Sequence, residues 1–133
     1  MTKMYVLVFI SICFVTFTTV FTPFPATCTE LTPVTRIEIA HLLDFMEQSQ
    51  CEFFRNGTWY KDAKAIREHA ELKTKYFLNK GKIKTAEDCI TWAGSKSELS
   101  GKPYMVKCGS KQQEPTAQWL TRELNHFRIE AEP

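Results

Sequence analysis

Residues 51–60 read CEFFRNGTWY, and this stretch decides the fold. Asn56 and Gly57 separate two short runs that are rich in aromatic and β-favouring residues. Asn-Gly is typical of a two-residue type I′ turn, because both central residues of that turn have positive φ angles. The stretch therefore predicts a β-hairpin, the start of an antiparallel sheet.

Helical patterns lie on both sides of this hairpin. Residues 35–50, TRIEIAHLLDFMEQSQ, begin with Thr35 as an N-cap and carry Glu38 at the capping-box position. Their apolar positions recur at helical spacing, at Ile39, Leu42, Leu43 and Met46. Residues 62–81, DAKAIREHAELKTKYFLNKG, predict a second and longest helix that ends with Gly81 in a C′ position. Its apolar positions are Ala63, Ile66, Ala70 and Phe77, with Leu72 and Tyr76 on an adjoining stripe.

A third helix and one more strand follow. The helix starts from a Thr85 cap with Asp88 at the box position, and it closes at Gly94. After a polar loop at residues 95–103, residues 104–108, YMVKC, have the length and composition of a strand.

The last element completes the fold prediction. A loop at residues 109–115 leads to a helix that runs from a Thr116 cap to about Ile129. Its predicted buried set is Ala117, Trp119, Leu120, Leu124 and Phe127. The element order predicts an α+β domain with a small antiparallel sheet of about three strands, the hairpin plus one later strand, packed with about four helices.

The first residues have the pattern of an export signal. Lys3 precedes an uncharged apolar run at residues 4–21, and the proline-containing stretch TPFPAT follows at residues 22–27. An uncleaved anchor is the rival interpretation, since the run is about as long as a short membrane span. We interpret the chain as a cleaved signal peptide, a linker and a single domain, at residues 1–27, 28–34 and 35–133.

Charge and cysteines narrow the class of protein. The formal charge is +2 and includes Lys3, so the mature part is close to neutral and predicts no nucleic-acid partner. Cleavage removes Cys13 and leaves an even number of cysteines, which pair in an oxidising compartment and allow three connectivities. A metal site is disfavoured because no spacing is C-x-x-C, and no cofactor is expected. The remaining cysteines are Cys28, Cys51, Cys89 and Cys108.

Several short motifs together resemble the YfeK-like family, which consists of small secreted bacterial proteins with a domain of unknown function. The motifs are Cys51-Glu-Phe-Phe-Arg55-Asn56-Gly57, His69 with Lys73, Ser97-Glu-Leu-Ser100-Gly101-Lys-Pro103-Tyr104, Cys108, and Trp119-Leu120. The resemblance runs from about Ile37 to Arg128 and implies a periplasmic location, a disulfide between Cys51 and Cys108, and no named activity. A second bond between Cys28 and Cys89 is inferred only from parity and compartment.

Arg55, His69 and Lys73 form the first candidate site. His69 and Lys73 are four residues apart on one helix face and Arg55 lies at the preceding turn, so together they could bind an anion. In the alternative interpretation, His69 buttresses the hairpin through a hydrogen bond, and Arg55 pairs with Glu52 or Glu68.

The serine-rich loop is the second candidate. Ser97 or Ser100 near His69 would supply the minimum for nucleophilic catalysis, but the sequence has no G-x-S-x-G elbow, and turn chemistry explains these residues better. The flanking lysines could steer a phosphate or an anionic polymer, although a solvated surface is the simpler interpretation. These lysines are Lys96, Lys102 and Lys107.

The sequence therefore favours a non-enzymatic interaction or binding module that is periplasmic or secreted. Its expected partner is an envelope protein or an anionic polymer, and it would contact a membrane only through an uncleaved leader. The alternative is a small hydrolase or anion-binding protein that uses His69 with Ser97 or Ser100. The binding candidates are Arg55, Asn56, His69, Lys73, Ser100 and Tyr104.

Overall fold

The computed structural model describes residues 30–132, so the predicted signal peptide and Cys28 lie outside the described residues. This part of the chain has four α-helices: α1 (Pro33–Gln48), α2 (Ala63–Asn79), α3 (Ala86–Cys89) and α4 (Thr116–Glu130). A π-helical segment, Ile90–Gly94, continues α3. One antiparallel sheet contains four strands: β1 (Glu52–Arg55), β2 (Thr58–Tyr60), β3 (Met105–Lys107) and β4 (Glu114–Pro115). The predicted α+β class is confirmed.

The hairpin forms as predicted. Asn56 has a φ of 51° and Gly57 a φ of 92°, the positive values that a type I′ turn requires. β1 pairs with β2 on one side and with β3 on the other, in the sheet order β2-β1-β3-β4. β4 was not predicted; it is a two-residue edge strand with a proline, at the end of the predicted loop 109–115.

Two predicted helix caps are wrong. α1 begins at Pro33, and its N-cap is Thr32, whose Oγ1 accepts a hydrogen bond of 3.1 Å from the Thr35 amide. Proline suits the first helical position, since its fixed φ is helical and it lacks an amide hydrogen that would need a partner. Thr116 is likewise the first residue of α4 rather than its cap, because Pro115 stands at the cap position. The predicted Thr85 cap with its Asp88 capping box is confirmed.

Glu38 does not serve a capping box. It is buried, and its carboxylate accepts hydrogen bonds of 2.6 and 3.1 Å from the Arg128 guanidinium on α4. Arg128 also donates to Glu87 on α3, at 2.6 Å. The network therefore holds α1, α3 and α4 together.

One continuous hydrophobic core contains residues from all four helices and from the sheet. Most predicted apolar positions are buried or packed against it, but Leu72 and Tyr76 on α2 are 66% and 50% exposed. Ala117 and Phe127 of the set predicted for α4 are only partly buried. Within residues 30–132, no helix combines the length and the apolar composition needed to cross a membrane.

A disulfide joins Cys51 and Cys108, as the family resemblance implied. The two residues flank the central strands, Cys51 just before β1 and Cys108 just after β3. Cys89 is a buried thiol whose Sγ lies 3.4 Å from Thr74 Oγ1. Its predicted pairing with Cys28 involves a residue outside the described chain and stays a prediction.

Candidate functional site

A cavity of about 300 Å³ lies between the helices and the sheet. That volume is at the lower end of the range for small-molecule sites. The cavity reaches the surface beside α2, where three of its lining residues, Ala65, Glu68 and Leu72, are exposed. Its inner wall is apolar and includes Ile39, Leu42, Met46, Phe53, Ile66 and Leu120.

Two side-chain polar atoms in this cavity wall have no hydrogen-bond partner. They are His69 Nε2 and Thr116 Oγ1, and both are fully enclosed. Leaving a buried polar group unpaired costs on the order of 1–3 kcal/mol, so most such groups in proteins are bonded. Among the described residues, no other buried side-chain nitrogen or oxygen atom is in this state. The cavity wall therefore contains two polar groups that the protein itself leaves unpaired.

These atoms belong to a polar end of the cavity, which we define as Arg55, His69, Tyr104 and Thr116. The pairing of Phe54 with Met105 places Arg55 beside Tyr104 across the sheet. The His69 ring meets the Tyr104 ring edge-to-face, with centroids 6.3 Å apart. The Thr116 amide donates a hydrogen bond of 3.0 Å to the Tyr104 carbonyl oxygen.

Arg55 forms no ion pair with any carboxylate in the described chain. The carboxylate of Glu52 lies 2.9 Å from Lys61 Nζ and 3.5 Å from Lys107 Nζ, and that of Glu68 lies 4.0 Å from Lys64 Nζ. The pairing of Arg55 with Glu52 or Glu68, considered from the sequence, is therefore not observed. The guanidinium carbon of Arg55 instead lies 4.7 Å from the centroid of the Tyr60 ring.

The His69 imidazole is neutral at neutral pH. Burial lowers its pKa from the usual 6.5, and the positive charges of Arg55 and Lys73 lower it further. No carboxylate acts on this imidazole strongly enough to raise its pKa. Since Nε2 has no partner, the hydrogen bond from His69 to the hairpin that the alternative interpretation required is not made through this nitrogen.

Lys73 and Ser100 connect the loop at residues 95–104 to its neighbours. Lys73 Nζ donates a hydrogen bond to the Lys96 carbonyl and lies 4.8 Å from the centroid of the Tyr104 ring. Burial lowers the pKa of Lys73, and Glu98 partly opposes this. Ser100 Oγ donates to Asn56 Oδ1 over 2.8 Å.

The structure thus brings together the six binding candidates selected from the sequence. Tyr104 is part of the same cluster: burial raises the pKa of its hydroxyl, and the positive charge of Arg55 partly opposes this. The cavity beneath them was not predicted, because its apolar lining has the same spacing as an ordinary core. Thr116 was missed as a site residue, since it was interpreted only as a helix cap.

The arrangement lacks a serine–histidine pair. Ser100 Oγ is used by Asn56, and Ser97 is 3% exposed with its Oγ accepting a hydrogen bond from the Ser100 amide. Ser97 also donates its amide to the Lys102 carbonyl and accepts from Gly101. Both serines therefore build the turn, and neither hydroxyl is bonded to His69 in the described chain.

A second hollow, of about 530 Å³, lies between the π-helical segment and α4. Several residues that line it are exposed and polar, among them Thr91, Gln118 and Asn125. Its one arginine, Arg122, is already bonded to both carboxylate oxygens of Glu114, at 2.7 and 2.8 Å. The arginine of this hollow is thus already paired, whereas Arg55 in the first cavity is not.

The DUF5329 family, a family of unknown function, matches residues 33–128. The chain belongs to this family. The match runs from α1 into α4 and includes every residue that lines the cavity, so the cavity is part of the DUF5329 domain. The expected domain of unknown function is confirmed. No curated protein and no solved structure matches the chain.

Proposed function

We propose that the protein is a non-enzymatic binding module that holds a small molecule in the cavity beneath the Arg55 hairpin. The observation that carries this proposal is the combination of an apolar cavity of about 300 Å³ with two enclosed polar atoms that lack partners. Binding sites for small molecules typically have such an apolar wall with a few convergent polar groups.

The geometry favours binding over hydrolysis. A general base must lie within hydrogen-bond reach of the hydroxyl that it activates, and the base is normally oriented by a third group. His69 has neither a serine bonded to it nor a carboxylate that raises its pKa. The hydrolase alternative therefore finds no support in the described residues.

We place this module in the periplasm or outside the cell. The disulfide between Cys51 and Cys108 supports that location, because disulfides persist in oxidising compartments and are rare in the cytosol. The predicted signal peptide and the resemblance to the YfeK-like family favour the same location and a bacterial source. An envelope protein or an anionic polymer contacting the surface around the 95–104 loop stays an alternative.

Filling the cavity tests the proposal. The probe is 1-octanol, titrated into the purified full chain by calorimetry, since its size of about ten non-hydrogen atoms suits the volume. Ala70 lines the cavity, and Ala70→Leu should weaken octanol binding by about tenfold or more while leaving the melting temperature the same or higher. Lys75→Leu, on the exposed face of α2, is the matched control and should bind like the wild type. No binding of octanol or of the corresponding carboxylate, octanoate, to the wild type, or equal binding to the Ala70→Leu variant, would contradict the proposal.

A further inference from the structure

We infer that the ligand of this cavity is a short amphipathic anion, an acyl chain of about ten non-hydrogen atoms in all whose anionic head binds Arg55 at the polar end. The inference rests on the proposed function and adds the chemical class of the ligand. It depends on three properties of the cavity: its size, its division into apolar and polar parts, and its charge.

The size of the cavity limits the length of the ligand. One water-sized group occupies roughly 30 Å³ in a liquid, so about 300 Å³ holds about ten such groups. A long lipid chain exceeds this volume, whereas a medium-length acyl chain fits it. The opening beside Leu72 leaves room for a bulkier head at the surface.

The cavity is divided into an apolar part and a polar end. Buried residues of α1, α2 and α4 supply aliphatic side chains, and β1 supplies Phe53. The polar groups, by contrast, gather around Tyr104, which lies beside Arg55 in the sheet, contacts the His69 ring and accepts a hydrogen bond from the Thr116 amide. A ligand that matches this division has one polar head and one apolar tail.

The charge of the polar end favours an anion. Arginine holds carboxylates and phosphates through paired hydrogen bonds, and Arg55 is a partly buried residue whose guanidinium has no carboxylate partner in the described chain. Packing against Tyr60 restricts its position without neutralising its charge. Glu68 and Glu98 are the nearby acids, but both are exposed, and water screens exposed charges.

The pKa shift of His69 also indicates that the polar end of the cavity is positively charged. The charged groups that shift its pKa are both positive, Arg55 from β1 and Lys73 from its own helix. An anion bound near Arg55 and His69 would offset the positive charge that disfavours protonation of the imidazole. A rotation of the His69 and Thr116 side chains would then let the unpaired Nε2 and Oγ1 bond the oxygens of the head.

The test compares ligands of equal chain length and different charge. Octanoate and 1-octanol are titrated into the full chain by calorimetry, and octanoate should bind at least about tenfold more tightly. Arg55→Gln should abolish this preference without affecting octanol. Lys64→Gln is the matched control, since it removes an exposed positive charge on α2 outside the cavity lining, and it should keep the preference.

Two further measurements complete the test. The preference of the wild type for octanoate should shrink in about 0.5 M salt. This measurement does not depend on the folding of any variant. A lysophosphatidate with the same chain distinguishes the source of the ligand, since tighter binding than octanoate assigns the site to acyl lipids and weaker binding assigns it to free fatty acids. Equal binding of octanoate and octanol would overturn the inference that the ligand is an anion but would leave the proposed binding function intact. No binding of any of the three ligands would overturn both.

Discussion

His69 is a titratable residue whose surroundings differ from those of a solvated side chain. Burial, Arg55 and Lys73 all lower its pKa from 6.5, and Tyr104 packs against its ring. A histidine with a lowered folded pKa binds its proton more weakly in the folded protein than in the unfolded chain. Folding stability is therefore linked to pH through this one side chain.

We predict that His69 makes the protein less stable as the pH falls from about 7 to about 5. Below pH 6.5 the unfolded chain takes up a proton that folded His69 resists, so the free energy of unfolding decreases. His69→Gln should flatten this decrease, and His126→Gln, at an exposed position on α4, should not. The three proteins are compared by urea unfolding at several pH values.

The acidic groups with shifted pKa values do not confuse this test. Hydrogen bonds from lysine or arginine lower the pKa values of Glu52, Glu87 and Glu114 from 4.5. These carboxylates therefore lose their contribution to folding stability at a lower pH than His69 does. An equally steep decrease in wild type and His69→Gln would show that the imidazole does not titrate as its surroundings require.

At the scale of elements, α1 positions one wall of the cavity through Ile39, Leu42 and Met46. Its start depends on Thr32, whose hydroxyl satisfies the Thr35 amide. We predict that Thr32→Ala lowers the free energy of unfolding by about 1 kcal/mol, the usual cost of losing an N-cap. Thr121→Ala, an exposed threonine within α4, should be close to neutral. Equal effects of the two substitutions in denaturant titrations would remove Thr32 from the capping role.

The elements also show what sequence reasoning could reach. The Asn56-Gly57 turn was predictable because two local residues determine the backbone conformation. The caps were harder, since Thr35 with Glu38 matches a capping box as well as Thr32 with Pro33 matches a helix start. The two patterns differ in the role of Glu38, which binds Arg128 on α4 instead of capping α1. Because Arg128 lies 90 residues away, no local pattern indicated this pairing.

The site was predictable in part for the same reason. Arg55, His69 and Lys73 could be selected as a group from helix spacing and a turn, and the structure brings them together around Tyr104. Arg55 has no carboxylate partner in the described chain partly because Glu52 forms ion pairs with Lys61 and Lys107. The cavity depends on how whole elements pack, and no single stretch of sequence specifies an unfilled volume.

At the scale of the whole molecule, the disulfide between Cys51 and Cys108 is the long-range covalent link in the described chain. It joins residues 57 positions apart and ties β1, which lines the cavity, to β3. In the chain-entropy model, closing a loop of this length stabilises the folded state by about 4 kcal/mol. That is a large share of the 5–15 kcal/mol typical of a domain.

We predict that Cys51→Ala combined with Cys108→Ala lowers the free energy of unfolding by about 4 kcal/mol in urea titrations. Under conditions in which the double variant is partly unfolded, its apparent affinity for octanol should also fall, because the cavity requires the paired strands β1 and β3. Cys89→Ala is the control, since it removes a buried thiol without opening the described loop, and it should cost only about 1 kcal/mol. Alkylation of the unreduced wild type should leave Cys51 and Cys108 unlabelled. Labelling of both, or a double variant as stable as Cys89→Ala, would show that the link does not stabilise the domain in solution.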